Sequence, residues 1–241
     1  MIAPCRLCSV TSKLQKSHIL PEFLYKGLYD SKHKALSVTP VLGATSEIQR
    51  GIREYLLCSS CEGRLSRWED CGARTVARIR RGVAGRRPGH EVTLHSFDYN
   101  RFKLFQMSLV WRMSISTHSL FAAVNLGPHE EKIRSALVRG EPGRSFDYGC
   151  VVASLSRPGP LDQIIPPPRP TRIDGQWAVL LLAGGLYWFF IASSHSCASL
   201  GRDYFLSENG SLRVWMAEHS GEDVLRNILR EAERARIRGG K

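Results

Sequence analysis

The sequence predicts an α+β fold in which a cysteine-bearing N-terminal unit precedes a larger mixed α+β domain. The N-terminal unit contains two CxxC pairs, Cys5/Cys8 and Cys58/Cys61. Strand-like and helix-like segments then alternate through the remaining chain. The run RRGVAGRRPGH has the Gly, Arg and Pro content of a connector, which places a boundary near residue 88 and divides the chain into residues 1–87 and 88–241.

Composition and charge restrict the class of protein and of partner. Hydrophobic residues make up 43% and charged residues 23% of the 241 residues, which excludes a disordered or fibrous chain. Lys and Arg total 34 against 22 Asp and Glu, a formal charge of +12. This excess favours a polyanionic partner such as nucleic acid, with solubility or an acidic protein partner as the alternatives.

The N-terminal residues MIAPCRLCSV lack the charged and apolar regions of a secretory signal, so we expect a cytoplasmic protein. In a reducing compartment, closely paired cysteines more often bind metal than form disulfides. The apolar run at residues 177–192 is too short for a helix that spans a bilayer. Its central Gly184 and Gly185 predict a buried β-hairpin, with a membrane helix as the alternative, and we expect no membrane partner.

A helix is predicted from Glu62 to about Arg81. Its apolar residues fall on one face at 100° per residue, with a glycine that allows close approach of a neighbour: Leu65, Trp68, Gly72, Val76 and Ile79. Arginines line the other face, with Arg64 at its edge: Arg64, Arg67, Arg74, Arg78 and Arg81. Such a stripe suits the phosphates of nucleic acid, and a solvated helix face is the alternative.

The other segments predict the mixed domain and the elements between the cysteine pairs. Possible strands are residues 34–42, 46–58, 90–99, 147–156 and 211–218. Helices are predicted at residues 100–116, 127–140 and 221–239. The proline-rich residues 157–172 predict an exposed loop or a segment that contacts a partner.

The two CxxC pairs together predict a structural zinc site with four thiolate ligands. Each pair offers two sulfur atoms to one ion, and Zn²⁺ imposes little geometry of its own. The alternatives are unrelated cysteines that happen to share a spacing, or His18 in place of one cysteine. The remaining cysteines lack paired spacing and are expected to be ordinary buried thiols: Cys71, Cys150 and Cys197.

The first 80 or so residues resemble the HNH, or ββα-metal, endonucleases. The likeness is carried by the first CxxC pair, the stretch SHILP at residues 17–21 and the stretch LLCSSCE at residues 56–62. It implies a treble-clef-like unit that hydrolyses DNA phosphodiesters, in which His18 is the general base and Mg²⁺ or Mn²⁺ is the catalytic ion. The sequence is also similar to bacterial HNH-like proteins. This resemblance implies that the protein acts as the effector of a bacterial defence system.

Three positions depart from the HNH pattern. Ser17 stands where the family often has Asp or Glu, and Glu62 stands where it often has His. The usual intervening Asn has no clear equivalent, since the stretch GIREYLLC offers Arg53 and Glu54 instead. Glu62 is the candidate ligand of the catalytic ion, since a carboxylate suits Mg²⁺ better than imidazole does. Glu69 lies about 10 Å further along the helix, so it is expected to support the site indirectly or to form an ion pair.

These departures leave other interpretations open. His18 is a structural histidine in one of them. In another, the chain is a non-catalytic zinc module that binds nucleic acid or a partner protein. A third interpretation, compatible with either function, is self-association or binding of another subunit through the C-terminal domain, with the proline-rich loop and the apolar hairpin as contact surfaces.

Overall fold

The computed structural model describes residues 1–25, 34–39, 44–49, 51–155, 164–196, 200 and 202–217. This part of the chain is a mixed α+β protein. Its helices are α1 (Ser59–Val83), α2 (Tyr99–Ile115) and α3 (His129–Arg139). Its strands are β1 (Ile2–Pro4), β2 (Thr11–His18), β3 (Lys34–Thr39), β4 (Ala44–Gln49), β5 (Arg53–Cys58), β6 (Glu91–Leu94), β7 (Cys150–Leu155), β8 (Ile164–Ile165), β9 (Arg169–Ile173), β10 (Gln176–Ala183), β11 (Leu186–Ile191) and β12 (Leu212–Ala217).

The described residues form two small sheets, one built from N-terminal strands alone and one that also includes β8. In the first, β2 pairs antiparallel with both β1 and β5, giving the order β1-β2-β5. The chain passes from β5 directly into α1, so the second cysteine pair straddles the end of a strand and the first turn of a helix. In the second sheet, β3 pairs antiparallel with β4 and parallel with β8.

The larger sheet has six strands in the order β6-β12-β7-β11-β10-β9. The predicted hairpin is confirmed: β10 and β11 pair antiparallel, and the connecting Gly184 and Gly185 have φ angles of 66° and 69°. Left-handed φ at both turn positions is what a two-residue hairpin of type I′ requires. The membrane-helix alternative for residues 177–192 is therefore wrong. No helix in the described ranges is long and apolar enough to cross a bilayer.

The expectation of a loop across residues 157–172 is wrong for the described residues that lie in strands, whereas residues 166–168 lie in neither a helix nor a strand. Ile164 and Ile165 form β8, and β9 begins at Arg169. Pro170 is tolerated in β9 because β9 is the edge strand of the six-stranded sheet and needs hydrogen bonds on one side only. The predicted terminal helix at 221–239 and Cys197 lie outside the described residues.

The helix predicted after the second cysteine pair is α1, and its apolar face is buried as expected. Gly72 lies against α2, where a Cβ atom at this position would come within 2.8 Å of the Phe105 ring. The predicted close approach at this glycine is thus confirmed. One hydrophobic cluster contains buried side chains from both sides of residue 88, including Leu57 and Val214. The division of the chain into two domains near residue 88 stays a prediction.

Candidate functional site

The four paired cysteines form one cluster at the start of α1. Cys5 and Cys8 lie in the turn between β1 and β2, which closes through a hydrogen bond from the backbone N–H of Ser9 to the carbonyl of Cys5 (2.8 Å). Cys58 ends β5 and Cys61 lies in the first turn of α1. The Arg6 N–H donates to the carbonyl of Leu56 (2.9 Å), which holds the turn against β5.

The spacing of the sulfur atoms suits a tetrahedral metal. The four Sγ atoms all lie within 4.8 Å of one another, and those of Cys8 and Cys58 are 3.8 Å apart. Four sulfurs about 2.3 Å from a central zinc ion would be roughly 3.8 Å apart along each edge of the tetrahedron. Within the described part of the chain, this is the only group of three or more His, Cys, Asp or Glu side chains that could hold a metal ion such as zinc.

The thiols of this cluster do not lose their protons equally easily. Burial acts to raise the pKa of Cys5, but hydrogen bonds from backbone N–H groups, including those of Cys8 and Cys58, lower it to about 7. Burial raises the pKa of Cys61, and the thiols of Cys58 and Cys8 raise it further. Several thiolates this close together repel one another, so a bound cation is needed to deprotonate the whole set. By contrast, Cys71 and Cys150 are buried thiols outside the cluster, as expected.

Ser17 and Glu62, two of the positions that depart from the HNH pattern, contact each other directly. The Ser17 hydroxyl donates a hydrogen bond to Oε2 of Glu62 at 2.6 Å. Ser17 is fully buried, and Glu62 lies half-buried in the first turn of α1. Glu62, the candidate ligand of a catalytic ion, is therefore already hydrogen-bonded to Ser17, which stands where the HNH family often has a carboxylate.

His18 ends β2 opposite Arg53 of β5, and the two side chains are hydrogen-bonded. Nε of Arg53 donates to Nε2 of His18 at 2.8 Å, so the neutral imidazole carries its proton on Nδ1. Burial lowers the pKa of His18, and the positive charge of Arg53 lowers it further. The imidazole is thus neutral at pH 7, but the lone pair on Nε2 is already used.

Sequence reasoning missed Arg112 as a residue of this region. Its guanidinium is buried on α2 and donates from Nη1 both to Glu69 (2.6 Å) and to the carbonyl of His18 (2.8 Å). Nε of Arg112 also donates to the carbonyl of Ser108 (3.2 Å). Glu69 is therefore an ion-pair partner, one of the two roles expected for it. The sequence did hold one sign of the buried role of Arg112, because this cationic residue lies within the apolar run of a helix predicted to be buried.

The five arginines of the predicted stripe divide into two groups. Arg64 donates to the carbonyls of Leu137 and Val138 at the end of α3. Arg78 donates to the carbonyls of residues 95 and 96, and its guanidinium lies 4.5 Å from the centre of the Phe97 ring. The other three guanidinium groups are exposed and make no ion pair with the described residues: those of Arg67, Arg74 and Arg81.

Comparisons with known proteins identify no family. A scan against protein-family models found no match, and searches of curated proteins and of solved structures found no significantly similar protein. The likeness to HNH endonucleases therefore rests on the sequence motifs, and the treble-clef-like assignment of the N-terminal unit stays a proposal.

Proposed function

We propose that the chain is a zinc-stabilised module that binds nucleic acid through its phosphates. The observation that carries this proposal is the row formed by Arg67, Arg74 and Arg81 on α1, the helix whose first turn belongs to the cysteine cluster. The three arginines are exposed and lack ion-pair partners among the described residues. The formal charge of +12 acts in the same direction.

The spacing of this arginine row fits a phosphate backbone. Residues seven apart differ by only about 20° around a helix, so the three side chains leave α1 on nearly the same side. The row spans about 21 Å, which is the axial length of roughly six base pairs. Zinc at the N-terminal end of α1 would hold this helix against β2 and β5, so that the row is rigid before it meets a ligand.

A binding module accounts for the contacts at residues 17, 18 and 62 more simply than a nuclease does. Glu62 accepts from Ser17, and His18 accepts from Arg53. These are the contacts expected of side chains that stabilise the junction of two strands and a helix. A divalent ion at Glu62 stays a prediction, and we derive no reaction step through it.

The binding proposal is tested by the salt dependence of DNA affinity. We expect a labelled duplex to bind, and the variant with Ala at residues 67, 74 and 81 to bind at least tenfold more weakly at moderate salt. The slope of log K against log[salt] should fall by about 2.7, or 0.9 for each lost phosphate contact. The matched control removes three exposed arginines that form ion pairs with nearby carboxylates, Arg101, Arg139 and Arg144. Equal losses in both triple variants would contradict the proposal.

An HNH-type endonuclease is the second candidate. It is favoured by the order of β2, β5 and α1 around the cysteine cluster, and by His18 at the end of β2 with a lowered pKa. As general base, His18 would take a proton from water through a nitrogen lone pair. Nε2 could do so only after Arg53 has moved away, because its lone pair accepts from that guanidinium in the present arrangement.

Cleavage of plasmid DNA separates the two candidates. The nuclease candidate predicts cutting in Mg²⁺ or Mn²⁺ that His18→Ala abolishes while zinc content and the circular dichroism spectrum stay unchanged. Binding without cutting under every ion and substrate tried would favour the module. A role as a bacterial defence effector follows only from the resemblance and depends on this result.

Association through the C-terminal domain also stays a proposal. All six side chains of β11 are buried, so the apolar hairpin is not itself an exposed contact surface. Light scattering coupled to size exclusion tests self-association, and a strictly monomeric protein at micromolar concentration would remove it.

A further inference from the structure

The exposed face of the β1-β2-β5 sheet is unusual for a protein surface. It carries two cationic side chains and one aromatic ring, which we call the sheet face: Lys16, Arg53 and Tyr55. The opposite face is buried through side chains that include Ser17 and Leu57. A small sheet with one solvent-exposed face normally presents polar side chains on that face.

Exposed apolar side chains also occur on or next to this sheet. Among the described residues, the large hydrophobic side chains with substantial exposure are Met1 (70%), Ile2 (77%), Val10 (60%) and Tyr55 (43%). Ile2 lies in β1 with Lys13 as its cross-strand partner, and Val10 directly precedes β2. The exposed Tyr55 ring beside the cations Lys16 and Arg53 is the part of this sheet suited to meet another molecule.

The cations and the ring are placed together by strand register. Lys16 and Tyr55 are cross-strand partners, and Nζ of Lys16 lies 5.5 Å from the centre of the Tyr55 ring. Arg53 lies two residues before Tyr55, so its side chain leaves β5 on the same face. The only carboxylate on these three strands is that of Glu54, whose oxygens accept hydrogen bonds from residues 116–118.

We infer that the sheet face binds single-stranded nucleic acid, with Tyr55 stacking on a base and the neighbouring cations contacting phosphates. The inference rests on the proposed function and gives it a substrate class. An exposed ring gains little from duplex DNA, whose bases are already stacked, but it gains from an unpaired base. Cations on adjacent strands complete the combination of stacking platform and charged surface that binds single strands.

The inference is tested with a labelled 20-nucleotide oligothymidylate and a duplex of equal length, by fluorescence anisotropy. Tyr55→Leu should weaken binding of the single strand by roughly ten- to a hundredfold. Tyr55→Phe keeps the ring and should bind like the unaltered protein. Lys16→Ala should lower the salt slope for the single strand by about 0.7, whereas Lys132→Ala on α3 should leave it unchanged.

The outcomes separate this inference from the proposed function. If Tyr55→Leu binds the oligonucleotide as tightly as the unaltered protein, or if only the duplex binds and depends on the α1 arginines, the inference is overturned and the proposed function stands. If neither nucleic acid binds, both fail. Binding to phosphatidylserine vesicles that Tyr55→Leu abolishes, without oligonucleotide binding, would assign the sheet face to a membrane surface and overturn the inference. Zinc content and circular dichroism should be equal in all variants.

Discussion

Replacing Glu69 with glutamine should destabilise the protein because it leaves the buried guanidinium of Arg112 without its counter-ion. The Arg112 side chain is 1% exposed and the Glu69 side chain 25% exposed, with 2.6 Å between Nη1 and Oε1. Removing one partner of a fully buried pair costs about 3–5 kcal/mol. Because Glu69 is partly exposed and glutamine still accepts a hydrogen bond, we expect a loss of about 2–3 kcal/mol.

The assay is urea unfolding followed by circular dichroism. With an m value of about 2–3 kcal/mol per M, the midpoint should fall by about 1 M. Glu131→Gln is the matched control, since the Glu131–Arg134 pair has the same 2.6 Å separation but a Glu131 side chain that is 67% exposed. This control should leave the midpoint nearly unchanged. Equal shifts in the two variants would refute the argument that burial of the Arg112 charge sets the cost.

Three further predictions concern the metal site, the packing of α1 and the histidine. Cys61→Ser should lose bound zinc and unfold at a lower temperature, whereas Cys71→Ser should keep one zinc per chain in a metal-release assay. Gly72→Ala should be less stable than Gly63→Ala by about 1–3 kcal/mol in urea, since a Cβ at Gly72 meets a buried ring and one at Gly63 meets nothing within 4 Å. In NMR titrations His18 should show a pKa below its ordinary value, so the protein should lose stability as the pH falls from about 6.5. Replacing Arg53, whose guanidinium donates to Nε2 of His18, should raise this pKa.

The sequence predicted those parts of the fold that depend on local patterns. The helical period located α1 and α2, and the Gly184-Gly185 pair located the hairpin. The spacing of the cysteines located the cluster for the same reason, because each CxxC pair is a local turn. The proline-rich segment misled the prediction because an edge strand tolerates a proline that an inner strand does not.

Contacts between distant segments were beyond local patterns. Nothing in the spacing of Arg112 and Glu69 indicates that α2 brings them together, and the partner of His18 depends on the register between β2 and β5. That register also decides which side chains share the exposed sheet face, since a slip of one residue would turn Tyr55 inward. The surface proposed to bind single strands was therefore visible only after folding.

Ser17 and Glu62 both depart from the HNH pattern, and they form a hydrogen bond with each other. A serine at residue 17 is therefore compatible with a glutamate at residue 62. An Asp at residue 17 would bring a second carboxylate against Glu62, and two charges about 4 Å apart repel by about 4 kcal/mol at an effective dielectric constant of 20. Ser17→Asp should therefore be less stable than the uncharged Ser17→Asn in zinc-loaded protein without other divalent ions, and Mn²⁺ should restore stability only to the Asp variant. Thermal unfolding with and without Mn²⁺ measures both effects. If Mn²⁺ stabilises the unaltered protein as much as it stabilises Ser17→Asp, then the Ser17–Glu62 pair already accepts a divalent ion, and the nuclease candidate gains over the binding module.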